Sequence, residues 1–277
     1  MVNASSALAL ALLATGLAAC ATARVSPETI NLANGLNSPA AQSREVNACR
    51  LLIETSPEDS RSGLDAENIR LVSWNMKKKS IPNWRDDYSR LTSGRDLILL
   101  QEASLRVDTV NDLPTVPYWS FAPGYRTNNS ITGVLTLSRA RPLARCSFMN
   151  VEPILRTPKA TSITQFAIDG SEETLLVVNV HAVNFSFGLG TYKKQFNQIA
   201  AVLRGHLGPI ILSGDLNTWR RGRMSTINDM ADELELLPLE FSDDNRTRRF
   251  GFPLDHIYVR GLSASSSIAS KVSSSDH

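Results

Sequence analysis

The 277 residues are enough for one globular domain with flanking segments, and a content of 42% hydrophobic and 20% charged residues is typical of such proteins. The 29 basic and 27 acidic residues give a net charge of +2, which is too small to predict nucleic-acid binding by itself. The 3 cysteines form no Cys-x-x-Cys pair, which argues against a zinc-thiolate or redox centre.

The amino-terminal residues are typical of an export leader. Residues 1–19 carry no charge, and their apolar run from Ala7 to Ala19 is too short to predict a membrane span. The small residues before Cys20 match a secretory cleavage site and also resemble a bacterial lipobox, although no basic residue precedes the run. We therefore predict a leader over 1–20, export to the periplasm or the exterior, and a lipid anchor at Cys20.

Residues 21–66 are rich in Ala, Ser, Asn, Pro and acidic side chains and show little periodicity. This composition predicts a tether or loosely ordered lead-in, with a short helix near Val46–Ile53. Cys49 and Cys146 could form a disulfide in an oxidising compartment or remain two separate buried thiols, and their spacing does not decide between these alternatives.

Short apolar strands recur through the remaining residues, 67–277, and two amphipathic helices interrupt them. Apolar residues repeat at helical spacing from Tyr192 to Leu207 and from Met224 to Leu237. We interpret His206, near the end of the first helix, as a partner of the helix dipole. The predicted strands are Ile69–Trp74, Asp96–Leu100, Gly133–Ser138, Leu175–Val180, Ile210–Leu212 and Leu254–Val259.

Polar side chains at the ends of these strands indicate a functional site. Asp215 and Asn217 follow one strand with a single residue between them, so that in an extended chain they project to the same side. Each polar ending alone also fits a turn or a cap. Strand ends converge in a packed sheet, however, and gathered carboxylates need a cation among them. Oxygen ligands without thiolate favour Mg²⁺ or Mn²⁺ over zinc.

Three local basic clusters accompany these motifs, at residues 77–79, 220–223 and 246–249. Each cluster alone is typical of a solvated surface loop. Three clusters around one site would favour a substrate that carries phosphate.

The order of the motifs resembles that of the endonuclease/exonuclease/phosphatase superfamily, which has a DNase I-like fold. The resemblance covers roughly residues 67–277 and is strongest toward bacterial members of unassigned substrate. It implies an α/β (α+β) fold, a four-layer α-β-β-α sandwich of two mixed sheets face to face with helices outside. The matching motifs are Ser73-Trp74-Asn75, Leu100-Gln101-Glu102, Gly133-Val134 with Leu137-Ser138-Arg139, Asn179-Val180-His181, Gly214-Asp215-Leu216-Asn217, Leu254-Asp255-His256-Ile257 and Ser275-Asp276-His277.

Carried over residue by residue, the resemblance implies hydrolysis of a phosphodiester or phosphomonoester that depends on Mg²⁺ (or Mn²⁺). Asn75, Glu102 and Asp276 would bind or position the ion. Asp215 with Asn217 would orient or deprotonate the attacking water.

The resemblance also distributes roles among the histidines. His277, oriented by Asp255, would act as a base or as a transition-state donor, and His181 would donate to a non-bridging phosphate oxygen. His256 would then be a strand residue without a catalytic role.

Two departures from the family pattern stand out. The family usually continues beyond Ser-Asp-His with a final core strand, which is missing here, so either the sequence is truncated or His277 lies at a frayed carboxyl terminus. Ile131 occupies the place where some nuclease members have a tyrosine that contacts substrate.

The expected substrate is a nucleic acid, a lipid head group or a small phosphorylated molecule, and the basic clusters favour the first. The exposed aromatic hairpin expected of a sphingomyelinase-like member is not evident in the sequence. We expect a monomer. The alternative is a catalytically inactive exported lipoprotein that uses the fold as a binding module.

Overall fold

The computed structural model describes residues 41–56, 63–105, 116–126 and 130–277. The predicted leader over 1–20, its Cys20 anchor and the first half of the predicted lead-in lie outside these residues. Among the described residues, no helix combines the length and the apolar character that a membrane crossing requires.

The described part of the chain forms two mixed β-sheets, two short strand pairs and four helices. The helices are α1 (Val46–Glu54), α2 (Trp84–Thr92), α3 (Gly190–Leu203) and α4 (Arg221–Glu233), and a 3₁₀ turn covers Lys77–Lys79. The strands are β1 (Ala41–Ser43), β2 (Leu71–Asn75), β3 (Leu97–Leu105), β4 (Tyr118–Arg126), β5 (Ile131–Ser138), β6 (Pro142–Val151), β7 (Pro158–Ala167), β8 (Thr174–His181), β9 (Ile210–Asp215), β10 (Leu237–Pro238), β11 (Asp243–Asp244), β12 (Arg248–Arg249), β13 (Phe252–Pro253), β14 (Asp255–Arg260) and β15 (Ile268–Ala269).

The strand order brings predicted site residues to neighbouring positions. The smaller sheet has the order β2-β3-β5-β4, and the larger has the order β1-β6-β7-β8-β9-β14-β10. In the larger sheet β8 runs parallel to β9, with His181 opposite Asp215. The antiparallel pairing of β9 with β14 sets Asp215 opposite Asp255. Three predicted site residues therefore lie side by side where three strands meet.

The two sheets pack face to face because alternate residues of their central strands are apolar on both faces. Leu99 of β3 and Val177 of β8 belong to the cluster between the sheets. Leu100 packs on the outer side with Tyr88 of α2. Val178 packs on the opposite outer side with residues of α1, α3 and α4. The predicted α-β-β-α sandwich is confirmed.

The helix containing Tyr192 ends earlier than its apolar spacing predicts. α3 stops at Leu203, and Gly205 adopts a φ of +84°, so Leu207 lies outside the helix and is 91% exposed. The Nε2 of His206 lies 2.9 Å from the carbonyl oxygen of Thr174. The prediction that Leu207 belongs to the buried helical face was wrong, because the glycine ends the helix first.

Part of the predicted lead-in contributes to the core. The predicted short helix is α1, and its Cys49 and Ile53 are buried in the cluster that covers the larger sheet. Cys49 forms a disulfide with Cys146 of β6, with a Cα–Cα distance of 5.8 Å. The structure therefore contains the disulfide rather than two separate buried thiols.

We expect the Cys49→Ser/Cys146→Ser variant to lose about 2–5 kcal/mol of unfolding free energy, because the bridge restricts the unfolded chain over a sequence separation of 97 residues. Urea unfolding followed by circular dichroism, with and without dithiothreitol, measures this loss. Dithiothreitol should destabilise the wild type and leave the variant unaffected. Identical midpoints for the wild type under both conditions would contradict the expectation.

Candidate active site

Asp215, the last residue of β9, is the buried centre of the site. The preceding Gly214 has a φ of 142°, and a Cβ there would lie 2.0 Å from the carbonyl oxygen of Val180, so only glycine fits. Asp215 Oδ1 accepts the backbone N–H of Asn217 at 3.0 Å. Asn217 itself adopts a φ of 50°, and its side-chain amide donates to the carbonyl of Ala182 at 3.1 Å. The turn after β9 therefore fixes both predicted side chains.

Asn75, the last residue of β2, joins the smaller sheet to this centre. Its Oδ1 accepts the N–H of Lys77 at 3.0 Å, which orients the amide so that Nδ2 faces the site. Nδ2 donates to Asp215 Oδ2 at 3.2 Å and lies 3.3 Å from His277 Nε2. The hydroxyl of Ser275 donates to the carbonyl of Asn75 at 2.6 Å. One amide thus links the two sheets and the carboxyl-terminal segment.

His277 and Asp255 form a hydrogen-bonded pair. The ring Nδ1 donates to Asp255 Oδ2 at 2.9 Å, and Nε2 lies 3.7 Å from Asp215 Oδ2. Burial lowers the pKa of His277, but the carboxylates of Asp215 and Asp255 outweigh it and raise the pKa to about 10. Burial, in turn, raises the pKa of Asp215 to about 6. The ring is therefore held in one orientation and is strongly basic.

Asp87 of α2 anchors the segment that carries His277. Its Oδ2 accepts hydrogen bonds from the backbone N–H and the hydroxyl of both Ser273 and Ser274, at 2.7–3.2 Å. Its Oδ1 accepts from Arg90 at 2.8 Å. Burial raises the pKa of Asp87, but the hydrogen bonds from Arg90 and the serines outweigh it and hold the pKa at about 2. No sequence motif predicted this anchor.

Glu102 lies in a bulge within β3, whereas the sequence predicted that the strand ends before it. The pairing of β3 with β5 shifts between Leu100 and Ala103, and Glu102 has a φ of 49°. A bulge re-aims a side chain locally. The Glu102 carboxylate lies 3.7 Å from His181 Nε2 and 3.6 Å from Lys78 Nζ, too far for a hydrogen bond to either.

His181, the last residue of β8, contacts a lysine that the sequence did not single out. Its Nε2 lies 2.9 Å from Lys159 Nζ and 3.5 Å from Asp215 Oδ2. Burial and then the Lys159 charge lower the pKa of His181 well below its ordinary value. Lys159 lies in β7, a strand that the sequence did not predict.

Oxygen and imidazole ligands gather here in a way that suits a metal ion. Within the described part of the chain, ligand atoms of Asp215, Asp255 and His277 lie within 4.8 Å of one another. This group differs from the predicted ligands Asn75, Glu102 and Asp276, although Asn75 hydrogen-bonds directly to it. The donor set contains no thiolate, as a hard cation requires.

All three basic clusters touch site residues, and two of them place charge at the border of the site. Lys77 Nζ lies 3.1 Å from Oδ2 of Asp276, whose side chain is 48% exposed. Arg246 donates to the backbone carbonyl of Asp255 at 3.1 Å. Positive charge therefore borders the site at the 77–79 turn and at the 246–249 segment.

The third cluster contains a buried residue, contrary to its interpretation as a solvated loop. Arg223 is 0% exposed and donates to the carbonyls of Val183 at 2.6 Å, Asn217 at 3.2 Å and Asn184 at 2.5 Å. Its guanidinium also lies 4.8 Å from the ring centroid of Trp219. Arg223 therefore ties together the loops that follow β8 and β9, and both loops carry site residues.

His256 has a different environment from the other predicted histidines. Its ring is buried, and its Nε2 lies 2.7 Å from the Thr218 hydroxyl and 3.2 Å from the Pro253 carbonyl. Burial lowers the pKa of His256 to about 4. These contacts fit the interpretation of His256 as a strand residue.

Relatives in sequence include bacterial proteins named UPF0294. One from Photorhabdus laumondii is 37% identical over 211 residues, covering 76% of this chain and 80% of the relative. Another, from Vibrio vulnificus, is 35% identical over 222 residues and covers 79% and 78% of the two chains.

Solved structures with the same fold are more distant in sequence. Sphingomyelinase C from Streptomyces griseocarneus is 16% identical with a TM-score of 0.51, covering 74% of this chain and 86% of that one. A beta toxin variant from Staphylococcus aureus with bound magnesium ions is 15% identical with a TM-score of 0.52, covering 69% and 83%. Residues 68–277 match the Endonuclease/Exonuclease/phosphatase family over most of the chain. The chain therefore belongs to this family.

Proposed function

We propose that the protein is a Mg²⁺-dependent phosphoesterase that hydrolyses a phosphodiester or phosphomonoester by attack of water. The observation that carries the proposal is the convergence of Asn75, Asp215 and the Asp255–His277 pair within hydrogen-bonding distance at the ends of strands from both sheets. Family membership supports hydrolysis of phosphate esters in general.

The metal would be held by Asn75 and Glu102, together with Asp276. Glu102 would fit this role because the bulge in β3 re-aims its carboxylate, which lies 3.7 Å from His181 Nε2. Magnesium ions are bound in the structure of the beta toxin variant that shares this fold. When bound, Mg²⁺ would polarise the phosphoryl group and offset charge on the leaving oxygen.

The residues around Asp215 would handle the water. Asp215 orients the attacking water, and Asn217 holds the Asp215 carboxylate through its backbone N–H. The pKa of His277, raised to about 10 by Asp215 and Asp255, keeps its ring protonated at neutral pH, so Nε2 would donate to the phosphoryl group in the transition state while Asp215 accepts the proton of the water. Asp255 accepts a hydrogen bond from Nδ1–H and stabilises the charged ring. The bond from the water oxygen to phosphorus forms as the bond to the leaving oxygen breaks.

The substrate is proposed to be a phosphate ester bound through its charge, since the basic 77–79 and 246–249 segments border the site. Phe250, in the turn between β12 and β13, is 85% exposed and lies 6.3 Å from Trp219 between ring centroids. The sequence did not reveal this hairpin with its exposed aromatic ring. Because of it, the structure supports a lipid head group as substrate about as well as a nucleic acid.

We also propose that the protein is exported and acts as a monomer. The Cys49–Cys146 disulfide supports export, because such bonds persist in oxidising compartments. Anchoring through lipid at Cys20 belongs to the same proposal.

The metal assignment predicts that Glu102→Gln raises the Mg²⁺ concentration for half-maximal activity by about 10–100-fold, because a neutral amide is a weaker ligand than a carboxylate. Hydrolysis of bis-p-nitrophenyl phosphate is measured against Mg²⁺ concentration, and Mn²⁺ binding is measured separately by calorimetry. Glu172→Gln, at an exposed residue, is the matched control. Full activity in excess chelator, or unchanged metal binding in Glu102→Gln, would refute the assignment.

Parallel assays on plasmid DNA, sphingomyelin vesicles and inositol phosphates distinguish the substrate classes. An activity on one of these substrates is attributed to this site only if Glu102→Ala and Asp215→Ala both lose it. No hydrolysis of any ester by a chain that binds Mn²⁺ would favour the inactive binding module.

A further inference from the structure

The contact between Lys159 and His181 fixes which nitrogen of the imidazole can donate. Lys159 Nζ and His181 Nε2 are 2.9 Å apart. An ammonium has three N–H donors and no acceptor, so in this contact Lys159 donates and Nε2 accepts. The Nε2 atom is also the ring nitrogen nearest to Asp215 and Glu102, at 3.5 Å and 3.7 Å. The side of the His181 ring that faces the site therefore presents a lone pair rather than a proton.

A buried carboxylate holds Lys159 in this place. Glu152, which follows β6 and has a side chain only 1% exposed, lies 3.7 Å from Lys159 Nζ through its Oε1. The same Oε1 accepts the backbone N–H of Asn184 at 2.7 Å, and Oε2 accepts the hydroxyl of Thr157. A buried carboxylate is stable only when it is paired and hydrogen-bonded in this way. Glu152 thus fixes both Lys159 and the loop that follows His181.

The Lys159 ammonium keeps capacity for a further anionic partner. Its hydrogen bond to His181 uses one of three N–H bonds, and the Glu152 oxygen is beyond ordinary hydrogen-bond distance. Its side chain is 13% exposed, so it is not sealed from solvent. A cation in a mostly buried position interacts with developing negative charge more strongly than one in water.

We propose that Lys159 is the phosphate-binding cation of this site, and that its ammonium, rather than a His181 N–H, donates to a non-bridging phosphate oxygen. This proposal rests on the proposed phosphoesterase function and names a residue for the interaction that the family resemblance gave to His181. His181 then positions Lys159 from one side, as Glu152 does from the other.

The test compares Lys159→Met with Lys159→Arg, and with Lys193→Met, at an exposed residue of α3, as the matched control. With bis-p-nitrophenyl phosphate and Mg²⁺, Lys159→Met should lower kcat by about 10²-fold, because one donor to the transition state is lost. Lys159→Arg should recover a measurable part of that loss. The Lys193→Met variant should match the wild type.

A second readout requires no turnover. Inorganic phosphate binding by calorimetry should weaken at least about tenfold in Lys159→Met, and nitrogen-15 spectra should show the His181 Nε2 shift change when its donor is removed. If Lys159→Met alone is unstable, Lys159→Met combined with Glu152→Gln removes both buried charges together. Unchanged phosphate affinity in the folded variants would overturn the proposal, even if the wild type hydrolyses no ester tested.

Discussion

Asp215→Asn should lower hydrolysis of bis-p-nitrophenyl phosphate by about 10³-fold, because a positioned carboxylate typically contributes about 10²–10⁴-fold to the rate. The substitution removes the charge that orients the water but keeps an amide oxygen that can accept the N–H of Asn217. The fold should therefore persist while turnover is lost. Initial rates at saturating Mg²⁺ give the effect on kcat.

Asp229→Asn, at an exposed position of α4, is the matched control and should behave as the wild type. Circular dichroism and thermal unfolding establish that Asp215→Asn is folded. A folded Asp215→Asn variant with more than about a tenth of wild-type activity would refute a direct role for Asp215, because that loss is smaller than a positioned carboxylate accounts for.

Asp87→Ala should lower kcat by about 10²-fold, although Asp87 lies in α2 and contacts none of the predicted catalytic side chains. The substitution removes the acceptor of the four hydrogen bonds from Ser273 and Ser274. Each hydrogen bond to a charged group contributes about 1.5–3 kcal/mol. Without them, residues 273–277 should open locally, and His277 should spend most of its time away from Asp255.

The matched control is Asp86→Ala, at the exposed neighbouring position. Hydrogen exchange should show faster exchange at residues 273–277 in Asp87→Ala and little change elsewhere. Because the pKa of Asp87 is held at about 2, below the ordinary 3.8, its anchoring contribution is complete above pH 3.8 and is lost as the pH falls through 2. Unchanged exchange in the segment would contradict the anchoring role.

The sequence predicted the elements whose signals are local. Apolar strands that end at Asn75, His181 and Asp215 were recognisable because their apolar runs are short and their polar endings unusual. Their convergence could be inferred from the general behaviour of strand ends. The assignment of His277 over His256 came from the family resemblance, and the structure sets His277 beside Asp255.

What the sequence could not reveal depends on contacts between distant residues. Lys159 lies in β7, where buried threonines, a serine and a glutamine interrupt the apolar pattern. Arg223 was interpreted as part of a surface cluster because charged residues are rarely buried. Its burial could not be inferred from the sequence, since the carbonyls that accept its hydrogen bonds lie on two separate loops. The anchor at Asp87 requires a pairing across 187 residues of sequence to Ser274.

The division of the site between two sheets and a terminal segment has a consequence for folding. Asn75 is separated by 140 residues from Asp215 and by 202 residues from His277. Contacts of such high sequence separation form late, after loop closure has been achieved elsewhere. A chain with native helices and strands but unpacked sheets would therefore be inert. During refolding, catalytic activity should therefore recover later than the circular dichroism signal, because only the completed fold is active.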